Sequence, residues 1–191
     1  METLKEKTAK GIFWGVLNGG TMQILNVVFG IVLARLLTPD DYAIVGVLAI
    51  FSSIATTLQS SGFESALVNL KKPTYNDYNS VFWFNVIVSS ILYVILFFAA
   101  PYIAQFYNEP RLTSLSRFLF LTIFVGSLGV SHHAYMVKNM MNKEITICSI
   151  AALACSGSVV IILAFNGYSF WSLAWQQMTY ISVLNICRYF F

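Results

Sequence analysis

Apolar residues occur along the chain in successive blocks of about twenty residues, separated by short polar segments. A helix needs about twenty apolar residues to cross the roughly 30 Å hydrocarbon core of a bilayer. Spanning strands would be about ten residues long with alternating polarity, and these blocks are too long and too continuous for that. The pattern therefore predicts an all-α, polytopic membrane protein, because helices satisfy their own backbone hydrogen bonds in lipid.

Turn residues, prolines and charges mark the ends of six predicted transmembrane helices within one domain, 1–191. The predicted helices cover residues 11–34, 42–67, 79–100, 111–135, 145–165 and 168–190. Pro101 is expected to end the third helix, and Pro110 to begin the fourth. Asn166-Gly167 predicts a tight turn before the sixth. Because the connections are short, consecutive helices are expected to pack as antiparallel neighbours.

The composition supports the membrane class and argues against an enzyme. Hydrophobic residues make up 58% of the 191 residues and charged residues 10%, against about 25% charged residues in a soluble domain. The three cysteines lie inside apolar segments, where we expect them to pack as small residues. The loops are too short to hold the acids and bases of a wet active site. We therefore expect no enzyme activity, no metal, no cofactor and no nucleic-acid partner.

The basic residues predict the orientation of the helices. When the loops are assigned alternately to the two sides, three basic residues share one side: Arg35, Arg111 and Arg117. Eight share the other side: Lys5, Lys7, Lys10, Lys71, Lys72, Lys138, Lys143 and Arg188. Since basic residues accumulate in cytosolic loops, both termini are expected in the cytosol and the first connection outside.

Polar residues inside the predicted helices are candidates for a hydrated path. One face of the first helix either packs closely against another helix or lines a cavity through its asparagines; it holds Gly11, Gly15, Asn18, Gly19, Met22, Asn26 and Gly30. The second helix has hydroxyls and amides that either bond to their own backbone or form a cavity wall; they are Ser52, Ser53, Thr56, Gln59 and Ser60. In the sixth helix, one face is expected to meet a cavity or a surface between two lobes and carries Gln177, Asn185 and Arg188.

Three ionisable residues each have a structural and a functional interpretation. Arg35 either pairs with Asp40 or Asp41 to fix the first hairpin, or stays available as a cation on the outer side. Arg117 either extends towards the interface or faces a cavity. Glu64 either pairs with a lysine at the cytosolic interface or takes part in ion coupling or substrate binding.

Short motifs in order along the chain carry a resemblance to one transporter family. They follow Trp14 and read ARLLTPDDY at 34–42, SGFESALV at 61–68, VFW at 81–83, APYIAQFY at 100–107 and NGYSFWSL at 166–173. Together they resemble polysaccharide-transport flippases, the O-antigen, colanic-acid and teichuronic-acid translocase branch of the multidrug/oligosaccharidyl-lipid/polysaccharide exporter superfamily. The chain departs from that pattern at Ala43, where the family usually has glycine, and at Lys138 and Asn142-Lys143.

The resemblance implies translocation of a polyprenyl-pyrophosphate-linked oligosaccharide across the bacterial inner membrane. Two six-helix lobes would rock against each other around the substrate, and this chain resembles the first lobe, a fragment that needs a second lobe or a second copy. In that scheme Asn18, Asn26, Gln177 and Asn185 bind sugar hydroxyls. Arg35, Arg117 or Arg188 meets the pyrophosphate. The alternatives are a lobe of a multidrug-type exporter and a non-transporting scaffold in a polysaccharide-assembly complex.

Overall fold

The structure, a computed structural model, describes residues 4–59, 63–71 and 73–191, and in this part of the chain every regular element is a helix. The predicted all-α class is confirmed. In chain order the helices are α1 (Leu4–Leu36), α2 (Pro39–Gln59), α3 (Phe63–Asn69), α4 (Tyr75–Phe106), α5 (Arg111–Ser127), α6 (Val130–Lys138), α7 (Asn142–Phe165) and α8 (Ser169–Phe190).

Four helical segments of the described chain are long and apolar enough to cross a membrane. They are Phe13–Leu36, Pro39–Leu58, Tyr75–Phe106 and Asn142–Phe165, and α5 with α6 makes a fifth if the bent pair is one span. The polytopic membrane class is thus confirmed. At 22 residues α8 is long enough, but its amides and Arg188 make it too polar for the same criterion. A count of six spanning helices therefore stays a prediction.

The third predicted helix is longer at both ends than its apolar block. As α4, it starts at Tyr75 and continues through Pro101 to Phe106, so the prediction that Pro101 ends it is wrong. A proline removes only one backbone hydrogen bond from a helix. Here Ala100, Ile103 and Ala104 are buried on both sides of that position, and this packing holds the helix together across the proline.

The second and fourth predicted helices are each represented by two helices. The fourth is broken at Leu128-Gly129, where α5 and α6 meet at 43°. In the region of the second, α2 begins at Pro39 and ends at Gln59, and α3 begins at Phe63, with the intervening residues 60–62 outside the described part. Continuous apolarity does not reveal either division.

The main hydrophobic core is centred on α5. Leu115, Leu119 and Phe120 of this helix are fully or almost fully buried. They belong to one cluster with Leu48 from α2 and Ala174 from α8. Burying a side chain of this size removes about 1.5–3 kcal/mol of unfavourable hydration in water, whereas in lipid the same contacts act through close packing.

The first helix packs on α7 and has little contact with α2. Leu33 and Leu37 cluster with Val160 and Ala164 of α7, while the hydroxyl of Thr146 near the start of α7 donates to the Trp14 carbonyl at 3.2 Å. The two helices therefore run parallel. The expectation that consecutive helices are neighbours is wrong for α1 and α2, although it is confirmed for α4 with α5 and for α7 with α8.

Antiparallel connections give the bundle two ends. The hinge end contains the connections at 37–38, 107–110 and 166–168. The kink end contains α3, the α5–α6 break, α6 and the last turn of α8. At 166–168 the predicted tight turn is confirmed: Gly167 has φ 80°, and the N–H of Tyr168 donates to the Leu163 carbonyl, which is the Schellman pattern at the end of a helix.

Candidate functional site at the kink end

The break between α5 and α6 is filled by a side chain of α8. Asn185 is buried, and its Nδ2 donates to the Val125 carbonyl at 2.5 Å. A Cβ at Gly129 would overlap the Asn185 side-chain oxygen, so the close approach requires a glycine there. Helix kinks arise where a side chain enters the backbone ladder, and Asn185 adds a short hydrogen bond to a carbonyl that otherwise accepts only the 3.3 Å bond from the Leu128 N–H among the described residues.

The next turn of α8 holds the same break from the other side. The Tyr189 hydroxyl donates to the Leu128 carbonyl at 3.1 Å, and a guanidinium nitrogen of Arg188 lies 3.3 Å from where a Cβ of Gly129 would stand. Together Asn185, Arg188 and Tyr189 form the kink clamp, a set at helical spacing on one face of α8. The clamp orients α6, and α6 forms one wall of a cavity.

This kink-end cavity has a volume of about 560 Å³ and lies between the start of α4, α6 and the last turn of α8. Its wall is rich in aromatic side chains that carry polar groups, with one arginine; the polar residues of the wall are Tyr75, Tyr78, Ser131, His132, Tyr135, Arg188 and Tyr189. Pockets of about 300–1,000 Å³ lined by aromatic groups and a few polar atoms are typical of small-molecule sites.

Contacts across the cavity wall fix its side chains. Ser131 Oγ donates to the Tyr78 carbonyl at 3.1 Å, and the rings of Tyr78 and Tyr135 meet edge to face with centroids 5.8 Å apart. On the opposite side the rings of His132 and Tyr189 lie 4.0 Å apart. Nδ1 of His132 is buried and has no hydrogen-bond partner in the described part of the chain, so the wall retains an unused polar atom.

Lys138 ties α3 to this end of the bundle. Its Nζ donates to the Val68 carbonyl at 2.8 Å and to the Leu70 carbonyl. These carbonyls lie at the C-terminus of α3, where a helix carries a partial negative charge. The lysine at the end of α6 therefore acts as a cap for α3, and its charge is directed away from the cavity.

The glycine-rich face of α1 is open. A Cβ added at Gly15, Gly19 or Gly30 would have no heavy atom within 4 Å. Close packing of this stripe against a neighbouring helix, one of its two interpretations, is found at Gly11, where a Cβ would lie 2.8 Å from Nδ2 of Asn142, but not at these three glycines within the described chain. The contact with α7 instead uses Phe29, whose ring fills the space that a Cβ at Gly157 would need.

The two asparagines of that stripe lie in different surroundings. Asn26 is exposed, next to the open glycines. Asn18 is half-buried, and its side-chain oxygen is buried without a hydrogen-bond partner in the described part of the chain. Their predicted contact with a substrate stays a prediction.

At the hinge end the structural interpretation of Arg35 is wrong. The Asp41 carboxylate is buried and accepts hydrogen bonds from the Thr38 N–H and hydroxyl at 2.9 and 2.8 Å, a capping box that starts α2. In the described chain no ion pair links Arg35 to Asp40 or Asp41, and Arg35 is exposed. The hairpin is fixed by threonine and aspartate, and Arg35 remains a candidate cation.

The other predicted site residues are dispersed. Half-buried Arg117 places its guanidinium 4.1 Å from the centre of the Phe97 ring, and its Nε donates to the Phe97 carbonyl at 3.5 Å. Gln177 is exposed on α8. Glu64 belongs to α3, but its side chain lies outside the described residues. Among the predicted site residues whose side chains are described, the structure thus brings together Asn185 and Arg188.

The hydroxyls of α2 bond to their own helix. Ser53 donates to the Ile50 carbonyl, Thr56 to the Ser52 carbonyl and Thr57 to the Ser53 carbonyl, at 2.7 to 2.9 Å. This confirms the structural interpretation for Ser53 and Thr56. Ser60 and the side chain of Gln59 lie outside the described residues.

Four residues of the cavity wall were not predicted from the sequence: Tyr78, Ser131, Tyr135 and the clamp residue Tyr189. Their contacts join positions 53 to 61 residues apart, and no motif connects them. The spacing of Asn185, Arg188 and Tyr189 places them on one helix face, which is the one local signal that a polar contact exists there.

Comparison with known proteins identifies the family. A family model described as "Polysaccharide biosynthesis protein" matches residues 32–191. The chain belongs to this family. No solved structure matches the chain.

Individual members of the polysaccharide biosynthesis protein family match most of the chain at low identity. The succinoglycan biosynthesis transport protein ExoT of Rhizobium meliloti is 26% identical over 91% of the chain, and the lipopolysaccharide biosynthesis protein WzxC of Escherichia coli is 24% identical over 90%. The teichuronic acid biosynthesis protein TuaB of Bacillus subtilis is 22% identical over 74%. The chain spans about a third of the length of these relatives, 35%, 34% and 29% respectively. The predicted resemblance is confirmed.

Proposed function

We propose that this chain takes part in flipping a lipid-linked oligosaccharide across the bacterial inner membrane. The substrate class is a polyprenyl-pyrophosphate-linked sugar, and both termini lie in the cytosol. Relatives named for succinoglycan transport and for lipopolysaccharide and teichuronic acid biosynthesis support this proposal. So does the excess of basic residues on the side of the termini.

The observation that carries the proposal is the open face of α1. A flippase must offer the sugar a polar surface while the lipid tail remains in hydrocarbon, and it needs a second body on the other side of the substrate path. Gly15, Gly19 and Gly30 leave the α1 backbone uncovered, and Asn26 is exposed beside them. We assign this face to the substrate path, facing a second six-helix lobe or a second copy of the chain.

The candidate contacts are divided by chemistry. Asn18, Asn26 and Gln177 bind sugar hydroxyls, whereas Arg35 and Arg117 meet the pyrophosphate along its path. Glu64 is the candidate for ion coupling. Asn185 is engaged in the kink clamp, so its contribution is to hold the cavity wall around Arg188.

Export in a bacterial strain that lacks its own flippase tests the proposal. We expect the chain to restore surface polysaccharide only when it associates with a second copy or a second lobe. Gly19→Trp should abolish this export at unchanged protein level, because it fills the open face. The matched control is Ile24→Trp, an exposed position on another side of α1, and it should retain export. Restoration by a chain shown to be monomeric, or equal export from the two variants, would contradict the proposal.

A further inference from the structure

We propose that the kink-end cavity binds the phosphate of a membrane lipid, with Arg188 and the first turn of α6 at the phosphate and the tyrosines around the group that the phosphate carries. The lipid is either a bilayer phospholipid or the lipid-linked sugar of the proposed function, and only the second case rests on that function. The shared chemistry is a phosphate ester at the membrane surface.

Two positive groups meet at one side of the cavity. The Arg188 guanidinium lies beside Gly129, immediately before α6. The first backbone hydrogen bond of α6 runs from the His133 N–H to the Gly129 carbonyl at 3.0 Å, so the preceding N–H groups have no partner within the helix. A helix N-terminus carries about half a positive charge and favours phosphate, but the C-terminus of α5 at the same break carries an opposite partial charge. The full cation of Arg188 is therefore the stronger of the two positive groups.

No negative side chain opposes them in the wall. Among the described residues that line the cavity there is no aspartate or glutamate. The nearby Asp77 lines a separate pocket between α3 and α4 and is bound by Thr74 in a capping box. An anion entering the cavity would therefore meet no acidic side chain in the described wall, and the remaining negative group there is the main-chain carboxylate of Phe191.

The rest of the wall suits the group that a phosphate carries. Tyrosines from three helices present ring faces and hydroxyls, a combination that favours amphipathic groups at the membrane interface. Tyr78 and Tyr135 form one side, and Tyr189 with His132 the other. The buried Nδ1 of His132, without a partner in the described chain, can bind a hydroxyl of a glycerol or a sugar.

The position of the cavity agrees with this ligand. It opens at the end of the bundle that carries Lys71, Lys138 and Arg188, where the predicted orientation places the phosphates of the cytosolic leaflet. Of these, Lys138 caps α3 through the Val68 carbonyl. Arg188 is the one cation in the described wall of the cavity.

Binding to the full purified chain in maltoside detergent, followed by native mass spectrometry, tests the inference. The probes are a short-chain phosphatidylglycerol, a short-chain prenyl diphosphate N-acetylglucosamine and, as the phosphate-free reference, a diacylglycerol of equal chain length. We expect one phosphate probe to bind per chain, with the diacylglycerol weaker by about tenfold or more, because charge-assisted hydrogen bonds contribute at least that factor.

Arginine variants locate the site. Arg188→Gln should lower the affinity for the phosphate probe by about tenfold. Arg188→Lys, which keeps the charge, should retain most of the affinity. Arg111→Gln is the matched control at the hinge end, where that arginine pairs with Glu109 at 3.4 Å, and it should bind as the native chain does. Equal affinity for the phosphate-free probe, or equal affinity of the Arg188→Gln chain, overturns the inference.

The choice of probe separates the inference from the proposed function. Preference for the prenyl diphosphate sugar supports both. Preference for phosphatidylglycerol supports a site that binds a bilayer phospholipid. The evidence for flipping then comes from the export assay alone. If Arg188→Gln binds no less tightly while export is intact, the phosphate site is wrong and the proposed function stands.

Discussion

The two ends of the bundle satisfy their polar groups in different ways. At the hinge end the bonds are local: Thr38 and Asp41 cap α2 across three residues, and Glu109 pairs with Arg111 two residues away. At the kink end a local capping box at Thr74 and Asp77 is joined by bonds between distant parts of the chain, with Asn185 reaching Val125 across 60 residues. Lys138 reaches Val68 across 70.

Local bonds and long-range bonds have different consequences for the two ends. Local bonds define where a helix begins and can form as soon as that helix forms. Long-range bonds require several helices to be packed, and in return they hold polar side chains in fixed positions around a cavity. Among the described residues, the kink end brings aromatic side chains and Arg188 together around a cavity, so the two ends should respond differently to substitution.

The largest effect is expected at the kink. Gly129→Val should destabilise the chain by about 2–4 kcal/mol, because the new side chain overlaps Asn185, costs strain and displaces a buried hydrogen bond. The free energy of unfolding in mixed detergent micelles with increasing dodecyl sulfate measures the change. Gly30→Ala is the control, since that position is open, and it should leave stability unchanged or raise it by about 1 kcal/mol or less.

A second variant checks that the cost comes from the clamp. Asn185→Leu should destabilise by about 1–3 kcal/mol, because the Val125 carbonyl then loses its shorter hydrogen bond and keeps the 3.3 Å bond from the Leu128 N–H. In the double variant with Gly129→Val the two costs should not add, since both remove the same contact. Additive costs would show that Asn185 and Gly129 act independently and would contradict the kink clamp.

A smaller effect is expected at the hinge. Asp41→Asn should cost about 0.5–1 kcal/mol, because an amide oxygen accepts the two bonds from Thr38 more weakly than a carboxylate and the negative charge in the first turn of α2 is lost. Arg35→Ala should change stability by about 0.5 kcal/mol or less, because no ion pair links Arg35 to Asp41 in the described chain. The same unfolding assay measures both.

The second capping box in the chain provides the comparison for Asp41. Asp77 binds the Thr74 N–H and hydroxyl in the same way at the start of α4, but it is less buried than Asp41. Asp77→Asn should therefore cost less than Asp41→Asn. An Arg35→Ala variant as unstable as Asp41→Asn would restore the ion-pair interpretation of the hairpin.

The smallest effect concerns two helix ends of the same geometry. Met140 follows α6 with φ 53°, and Asn108 follows α4 with φ 54°. Glycine adopts this left-handed conformation without strain, asparagine tolerates it and methionine does not. Met140→Gly should therefore stabilise the chain by about 0.5–1 kcal/mol, and Asn108→Gly should have less effect. A thermal melt in detergent compares them; a larger gain at Asn108 would contradict strain at Met140.

Features set by short stretches of the chain were predictable from its sequence. Blocks of apolar residues determine that the chain is helical and lies in a membrane, because lipid leaves the backbone no other partner. Asn166-Gly167 determines a turn, since glycine tolerates the positive φ observed at Gly167. The family follows from short motifs in order. In each case the cause and the effect lie within a few residues.

The tertiary structure alone decided which polar residues meet. In the sequence, Asn18, Asn26 and Asn185 are equivalent amides on apolar helices, yet Asn26 is exposed and Asn185 is buried in the kink. Pro101 lies within α4 because buried neighbours hold the helix around it. The cavity exists because α6 turns 43° away from α5, and that turn depends on Asn185 approaching Gly129. Such outcomes depend on packing between helices far apart in the chain, and apolar periodicity carries no information about which helices become neighbours.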